Sequence, residues 1–180
     1  LVCQRQPNPD VGLTRELRTG QPLVIHGASG TGKTSLLATL AGELPAVSGQ
    51  VFIGGADLLN RPDKTRYAQV GFLSQSDQLL DVSIREFLEL GLDPVSDQTL
   101  HKVLDQVDLL DTLNNTPEGL DYRLGVGGSR ISGGQARRLQ LAALLLRDPV
   151  LVLLDEPFRG LQAELVQKVL VRIAPWLEQP

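Results

Sequence analysis

A glycine-rich octapeptide, Gly27-Ala28-Ser29-Gly30-Thr31-Gly32-Lys33-Thr34, constrains the fold of this chain more than any other feature. It matches the pattern G-x-x-x-x-G-K-[ST], which places backbone N–H groups around phosphate oxygens. Its glycines let the backbone turn where side chains would block it. Lys33 supplies a positive charge for the outer phosphates, and the hydroxyl of Thr34 is a suitable ligand for magnesium. The octapeptide therefore predicts a binding site for a nucleoside triphosphate.

The segments on either side of the octapeptide predict a strand and a helix. Leu23-Val24-Ile25 is typical of a buried strand, and the stretch from Thr34 to Ala41 is typical of a helix that Gly42 ends. The loop then lies at a helix N-terminus, where free N–H groups attract anions. The residues expected to contact the phosphates are Gly27, Ala28, Ser29, Gly30, Thr31, Gly32, Lys33, Thr34 and Ser35.

An apolar run in the second half of the chain ends in two carboxylates. Residues 150–154 are all apolar and lie between Pro149 and Pro157, which is typical of a central parallel strand buried on both faces. Ligands of open α/β sheets gather at the carboxyl ends of the strands. Asp155 is therefore expected at the magnesium site, and Glu156 could take a proton from an attacking water. A solvated acidic pair is the alternative interpretation.

A serine, two glycines and a glutamine precede an apolar helical segment at residues 139–146. They are Ser132, Gly133, Gly134 and Gln135. The predicted helix N-terminus offers free N–H groups and a small hydroxyl, which together form a second anion-binding surface. One phosphate chain does not need two such surfaces, so we expect the second one to serve the nucleotide of a neighbouring subunit.

The order of these segments resembles that of ATP-binding cassette (ABC) ATPase domains. Residues 131–135 resemble the family's Leu-Ser-Gly-Gly-Gln signature, with Ile131 in place of the leucine. Gln75 follows the predicted strand from Val70 to Ser74 and matches a family glutamine between the P-loop and the signature. The resemblance covers nearly the whole chain. It implies an α/β fold: a P-loop NTPase (RecA-like) core with a mostly parallel sheet, a small antiparallel β flap and a helical ABC-specific lobe.

The family pattern divides the chain into two regions of a single ABC ATPase domain, 1–180. Residues 1–75 and 148–180 would form the nucleotide-binding core with its β flap. Residues 76–147 would form the helical lobe that carries the signature. The absence of any methionine suggests a fragment of a larger protein, and the family's switch histidine would fall beyond Pro180.

Local patterns predict the remaining elements. Short strands with turns are expected within residues 1–24 and 49–56, as the flap requires. The pattern from 83 to 146 is helical, with a helix start at Ser96-Asp97 and apolar residues at three- and four-residue steps after it. A last helix from Leu165 to Ile173 is expected to end at Pro175.

The resemblance implies a role for each site residue. Lys33, Gln75 and Glu156 would be catalytic, and Thr34, Gln75 and Asp155 would hold Mg²⁺ beside ATP. The partner would be a second ABC ATPase domain, in a homo- or heterodimer. The two domains would close head to tail, so that the signature of one caps the γ-phosphate bound to the other.

Further segments resemble the exporter branch of the family. The loop within residues 116–128 contacts the membrane domains in exporters, and residues 76–87 are also expected to contact transmembrane domains. Arg159-Gly160-Leu161 after Glu156-Pro157 resembles the CydC-like half of heterodimeric thiol exporters. These resemblances imply a domain at the cytoplasmic face of the cell inner membrane that hydrolyses ATP to power export.

Departures from the family pattern leave alternatives open. Gln162 stands where the family usually has an aspartate at the subunit interface. The chain could therefore be an ATP-gated dimerisation module with weak or no hydrolysis, as the degenerate half of a heterodimeric pair. A soluble ABC protein of translation or DNA repair is a third possibility. The net charge of −4 disfavours a nucleic-acid partner, because no basic excess is present to neutralise phosphates.

Overall fold

The computed structural model describes residues 14–75 and 79–177. These residues form two compact units. Unit 1 contains residues 14–75 and 149–155, and unit 2 contains residues 79–148 and 156–177. The division into a nucleotide-binding core and a helical lobe stays a prediction. Among the described helices, none has both the length and the apolar character of a membrane span.

Unit 1 is a mixed unit of helices and short strands. Its elements are α1 (Lys33–Ala41), β1 (Phe52–Ile53), β2 (Ala56–Asp57), α2 (Asp63–Gln69), β3 (Val70–Leu73) and β4 (Leu151–Leu154). Strands β1 and β2 form an antiparallel hairpin, which confirms the flap strands predicted within residues 49–56. Strands β3 and β4 are parallel, although 77 residues separate their nearest ends in the sequence. Parallel pairing over such a separation is typical of the α/β class.

The helix predicted after the glycine-rich loop is present and ends where expected. Gly42 caps α1 with a φ of 79°, and its N–H donates to the carbonyls of Ala38 and Thr39. This left-handed cap favours glycine. Ala41 at the end of α1 packs into a core with Leu58 and with residues of β3 and β4. Burial of these apolar side chains holds the helix against the parallel strands.

The strand predicted at Leu23-Val24-Ile25 is wrong. The backbone there is irregular, and 66% of Val24 is exposed. A strand needs a neighbouring strand for its backbone hydrogen bonds, and among the described residues neither β3 nor β4 pairs with this segment.

The sequence predicts that strand β4 is buried on both faces, but only Leu153 of its four residues is buried. The flap strands predicted within 1–24 are absent from residues 14–24, and residues 1–13 lie outside the described part.

Unit 2 is helical, as the sequence predicts for residues 83–146. Its elements are α3 (Ile84–Leu88), α4 (Asp97–Gln106), α5 (Leu110–Asn114), two 3₁₀ turns (Gly119–Asp121 and Val126–Gly128), α6 (Gly133–Arg147) and α7 (Ala163–Leu177). Ser96 caps α4, because its side chain accepts from the N–H of Thr99. This confirms the predicted helix start, and the residues of α4 at three- and four-residue steps form the buried face.

Helix α7 departs from the prediction at its C-terminal end. Pro175 was expected to end the helix, but α7 continues to Leu177. Proline lacks the N–H of one helical hydrogen bond, yet the backbone stays helical for two more residues beyond Pro175. Trp176 donates from Nε1 to Asp148 at 2.9 Å, so the last turn is held within unit 2. Val169 and Ile173 form its buried side.

Candidate functional site

The glycine-rich loop of unit 1 is folded around the side chain of Lys33. The Nζ atom of Lys33 donates to the carbonyl oxygens of Gly27 and Ala28, both at 2.8 Å. Thr31 donates from Oγ1 to the same Ala28 carbonyl at 2.9 Å. These bonds turn the carbonyls toward the lysine and place its ammonium group over the loop. Thr34 lies in the first turn of α1 and is exposed, and Ser35 follows it, with its carbonyl accepting from Thr39.

The geometry of the loop requires Gly32 and leaves little space for a side chain at Gly27. Gly32 is the N-cap of α1 with a φ of 90°, a conformation that L side chains rarely adopt. A Cβ atom at Gly27 would come within 2.9 Å of Thr31 Oγ1. The first N–H groups of α1 therefore follow a backbone that only glycine adopts without strain, at the end of the helix that attracts anions.

The carboxyl ends of β3 and β4 bring Asp155 and Gln75 to one edge of the parallel pair. Leu73 is paired with Leu154, and the N–H of Asp155 donates to the carbonyl of Leu73 at 3.0 Å. Asp155 is buried, and Gln75 is exposed two residues beyond β3. Helix α1, which begins at the loop, packs against both strands.

The donor set of unit 1 suits magnesium. Thr34 offers a hydroxyl and Asp155 a carboxylate, and Mg²⁺ prefers such oxygen ligands together with substrate phosphates. The residues present therefore fit the ion that the sequence predicts. A glycine-rich loop at the start of a helix, packed on parallel strands of which one ends in an aspartate, defines the class of P-loop nucleotide-binding domains.

The predicted signature lies at the N-terminus of α6 in unit 2, with Ser132 as its N-cap. Ser132 Oγ accepts from the N–H of Gln135 at 3.2 Å, and Gln135 Oε1 accepts from the N–H of Ser132 at 2.8 Å. This reciprocal capping box leaves the hydroxyl proton of Ser132 available to donate. The N–H groups of Gly133 and Gly134 are at positions that lack intrahelical partners. One hydroxyl and two amides thus face outward from a helix N-terminus.

The side chain of Arg138 connects α6, whose N-terminus carries the signature, to the loop between α4 and α5. It donates to the carbonyls of Gly134 at 3.3 Å and Val107 at 3.2 Å, and also to that of Asp108. Burial lowers the pKa of Arg138, an effect that the charge of Asp108 partly offsets. Asp108 also pairs with Lys168 of α7. Arg138 and Asp108 therefore connect α6 to α7.

Glu156 opens a turn in unit 2 that leads into α7. Its φ is 47°, and its carbonyl accepts from the N–H of Arg159 at 3.1 Å. The two side chains also form an ion pair, with 3.5 Å between Arg159 Nη1 and Glu156 Oε2. In the same segment, Leu161 packs so closely on the signature that a Cβ at Gly134 would come within 2.8 Å of its Cδ2.

The structure thus groups the predicted site residues within each unit. Unit 1 holds the loop, Gln75 and Asp155, and unit 2 holds the signature and Glu156. Sequence reasoning assigned no role to Arg138, Arg159 or Leu161. An arginine on the apolar face of a predicted helix is a signal that could have identified Arg138. The contacts of Arg159 and Leu161 depend on turn geometry, which the local sequence pattern does not reveal.

Comparison with known proteins agrees with this class. The family model for ABC transporters matches residues 12–159. The ABC multidrug transporter mdr1 of Aspergillus fumigatus is 36% identical over 155 residues, which are 85% of this chain and 12% of that protein. The glutathione/L-cysteine transport system ATP-binding/permease protein CydC of Haemophilus influenzae is 35% identical over 159 residues, 88% of this chain and 28% of that protein.

A solved structure shares the fold. The bacterial Atm1-family ABC exporter with ATP bound matches 84% of this chain and 27% of its own, with a TM-score of 0.78 and 23% identity. The chain belongs to the ABC transporter family, in which it corresponds to the ATP-binding domain. It spans 12% and 28% of the lengths of the two relatives.

Proposed function

We propose that this chain is the ATP-binding and ATP-hydrolysing domain of an ABC exporter. The observation that carries the proposal is the geometry of unit 1, where Lys33 lies over a glycine-rich loop and Asp155 ends a strand packed on the same helix. Curated relatives named as transporters, among them CydC and CydD proteins of glutathione/L-cysteine transport systems, support the exporter assignment.

The residues of unit 1 would bind the triphosphate. The amides that begin α1 and the ammonium of Lys33 would contact the β- and γ-phosphates. Thr34 and Asp155 would hold a magnesium ion, which when bound offsets the charge of the phosphates, with Gln75 assisting. Positioning and charge neutralisation account for most of the catalysis in phosphoryl transfer.

The signature residues of unit 2 would complete the nucleotide site of a second domain. The exposed Ser132 and the amide of the half-buried Gly134, both at the N-terminus of α6, would cap the γ-phosphate bound to a partner copy or homologue in a head-to-tail dimer. Glu156 follows Asp155 directly, so it would act at the nucleotide bound by the same chain, where it would orient the attacking water and accept its proton. Its carboxylate is exposed, so it is open to solvent and to a partner.

Contact with transmembrane domains would use the exposed part of unit 2 that follows Gln75, and it would place the domain at the cytoplasmic face of the inner membrane. Residues 76–78 of the predicted contact lie outside the described residues. Leu79 and Leu80 differ sharply: Leu79 is 4% exposed and packs against Gly128, whereas Leu80 is 50% exposed. Leu80 and the exposed Val126 are therefore the side chains available to a membrane partner.

Because Leu79 is buried and Leu80 is exposed, substitutions at these two residues can separate an effect on coupling to transport from an effect on folding stability. We expect Leu80→Ala to reduce substrate-stimulated ATP hydrolysis in the complete natural protein while leaving MgATP affinity and thermal stability unchanged. Leu79→Ala is the matched variant, and it should lower the unfolding temperature because it removes buried apolar surface, at a cost of about 2–5 kcal/mol. If Leu80→Ala instead abolishes ATP binding, the contact assignment is wrong.

The proposed nucleotide site is tested by MgATP affinity. Lys33→Ala should weaken binding of a fluorescent ATP analogue at least about tenfold, because hydrogen bonds to charged groups contribute about 1.5–3 kcal/mol. Lys102→Ala removes an exposed lysine of α4 in unit 2 and should leave the affinity unchanged. Equal affinities of the two variants would contradict the site.

A further inference from the structure

The turn that carries Glu156 contains a basic residue that the proposed mechanism does not use. Glu156 and Arg159 are the first and fourth residues of this turn, closed by the bond from the Arg159 N–H to the Glu156 carbonyl. A second turn overlaps the first and begins at Phe158, whose carbonyl accepts from the N–H of Leu161; Gly160 in this turn adopts a φ of 77°. The two turns fix the backbone positions from which both side chains extend.

The backbone of Glu156 lies in a region that residues other than glycine rarely adopt. Its φ of 47° is left-handed, which costs free energy for a residue with a Cβ atom. Residues held in such conformations concentrate at functional sites, where the surrounding structure determines the direction of the side chain. Here that direction brings Glu156 Oε2 within 3.5 Å of Arg159 Nη1.

The ion pair is exposed and can therefore be exchanged. The side chains of Arg159 and Glu156 are 71% and 48% exposed. Ion pairs in such positions contribute little to folding stability, since water competes for both charges. In the part of the chain that the structure describes, this is the one ion pair that Glu156 makes. An incoming water can thus compete with the guanidinium for the carboxylate.

We propose that Arg159 is a positioning residue that holds the carboxylate of Glu156 in an ion pair until the nucleotide site closes, and so limits basal ATP hydrolysis. The inference rests on the proposed function, in which Glu156 accepts the proton of the attacking water. A carboxylate paired with a guanidinium keeps free lone pairs, but the pair fixes its direction, so the pair has to open before the carboxylate can turn toward the attacking water. When the nucleotide site closes, the attacking water competes with Arg159 for the carboxylate of Glu156, and the ion pair opens.

The test is steady-state MgATP hydrolysis by the complete natural protein and five variants. Arg159→Ala and Arg159→Gln remove the charge, Arg159→Lys keeps it, and Glu156→Gln removes the proposed base. Arg147→Ala is the matched control, because this exposed arginine of the same unit donates to the Leu90 carbonyl instead. Binding of a fluorescent ATP analogue is measured in parallel.

We expect kcat to rise about two- to fivefold in Arg159→Ala and Arg159→Gln, which is the effect that an exposed ion pair can have on a barrier. KM and the affinity for the analogue should not change. Arg159→Lys should restore kcat toward the value of the unmodified protein, and Arg147→Ala should not differ from it. If Arg159 had only a structural role, its substitution would lower the stability of the fold and would not raise kcat.

Three results would overturn the inference. The first is an unchanged or lower kcat in both charge-removing variants while Glu156→Gln still abolishes turnover; this leaves the proposed function intact. The second is an affinity loss in Arg159→Ala, which would make Arg159 a nucleotide contact. The third is turnover that does not depend on Glu156, or no turnover in the unmodified protein, and this result contradicts the proposed function as well.

Discussion

Gly32 shows at the scale of one residue how the backbone sets the nucleotide site. Because its φ is 90°, a Cβ atom there is strained regardless of the surrounding space. We expect Gly32→Ala to destabilise the protein by about 1–2 kcal/mol and to weaken MgATP binding. Unfolding in denaturant and binding of a fluorescent ATP analogue measure the two effects.

A second glycine provides the control for this prediction. Gly133 lies in the first turn of α6, and a Cβ atom there would meet no other atom within 4 Å. Gly133→Ala should therefore leave the free energy of unfolding unchanged or raise it by up to about 1 kcal/mol. Equal destabilisation by the two substitutions would show that the positive φ of Gly32 is not what the loop depends on.

At the scale of elements, Ser132 has two separable tasks, the capping of α6 and the proposed contact with a phosphate. Aspartate is as good an N-cap as serine, but its negative charge repels phosphate. We expect Ser132→Asp to keep the unfolding temperature and to lose MgATP-driven dimerisation, measured by light scattering in a Glu156→Gln background. Ser132→Ala should lose about 1 kcal/mol of stability through the cap. A Ser132→Asp variant that still dimerises would exclude the phosphate contact.

We expect the N-termini of α3 and α4 to contribute to the pH dependence of the stability of unit 2. A hydrogen bond from Arg85 lowers the pKa of Asp97, and the bond from the Ser83 N–H lowers that of Glu86. A carboxyl group with a lowered folded-state pKa stabilises the fold above its unfolded pKa, and this contribution is lost as pH falls through the folded value. The unfolding temperature should therefore decrease on acidification below about pH 4. Asp97→Asn should reduce this decrease, and an unaltered pH dependence would contradict the assignment.

Helix ends that depend on neighbouring residues in the sequence were predicted well, whereas among the predicted parallel strands β3 and β4 are present and the segment 23–25 is not a strand. Ser96 and Gly42 mark helix ends through bonds to residues three or four positions away, so the sequence alone reveals them. The segment 23–25 has the composition of a strand, yet a strand exists only where another strand supplies its hydrogen bonds. Pro175 likewise reads as a helix stop, whereas α7 continues through it.

The candidate site follows the same division. The loop, the strand-end aspartate and the capped signature helix are recognisable because each is a short motif with its own local geometry. The pairing of Glu156 with Arg159 and the packing of Leu161 on Gly134 arise from a left-handed residue and two overlapping turns. The spacing of these residues in the sequence does not reveal that they make such contacts, since residues of any surface loop can have the same spacing.

At the scale of the whole molecule, both units carry parts of the proposed machinery. Unit 1 holds the groups for phosphates and magnesium, and unit 2 holds the signature and Glu156. A protein with these parts that binds ATP without turning it over would be the gated dimerisation module suggested by Gln162. A protein that hydrolyses ATP through Glu156 would be a working ABC ATPase.

Steady-state MgATP hydrolysis by the complete natural protein, compared with its Glu156→Gln variant, distinguishes these two most directly. We predict turnover that the substitution reduces by at least about a hundredfold, the usual size of a general-base contribution, with MgATP affinity unchanged. Binding without turnover in the unmodified protein, or turnover that survives in Glu156→Gln, would contradict the account.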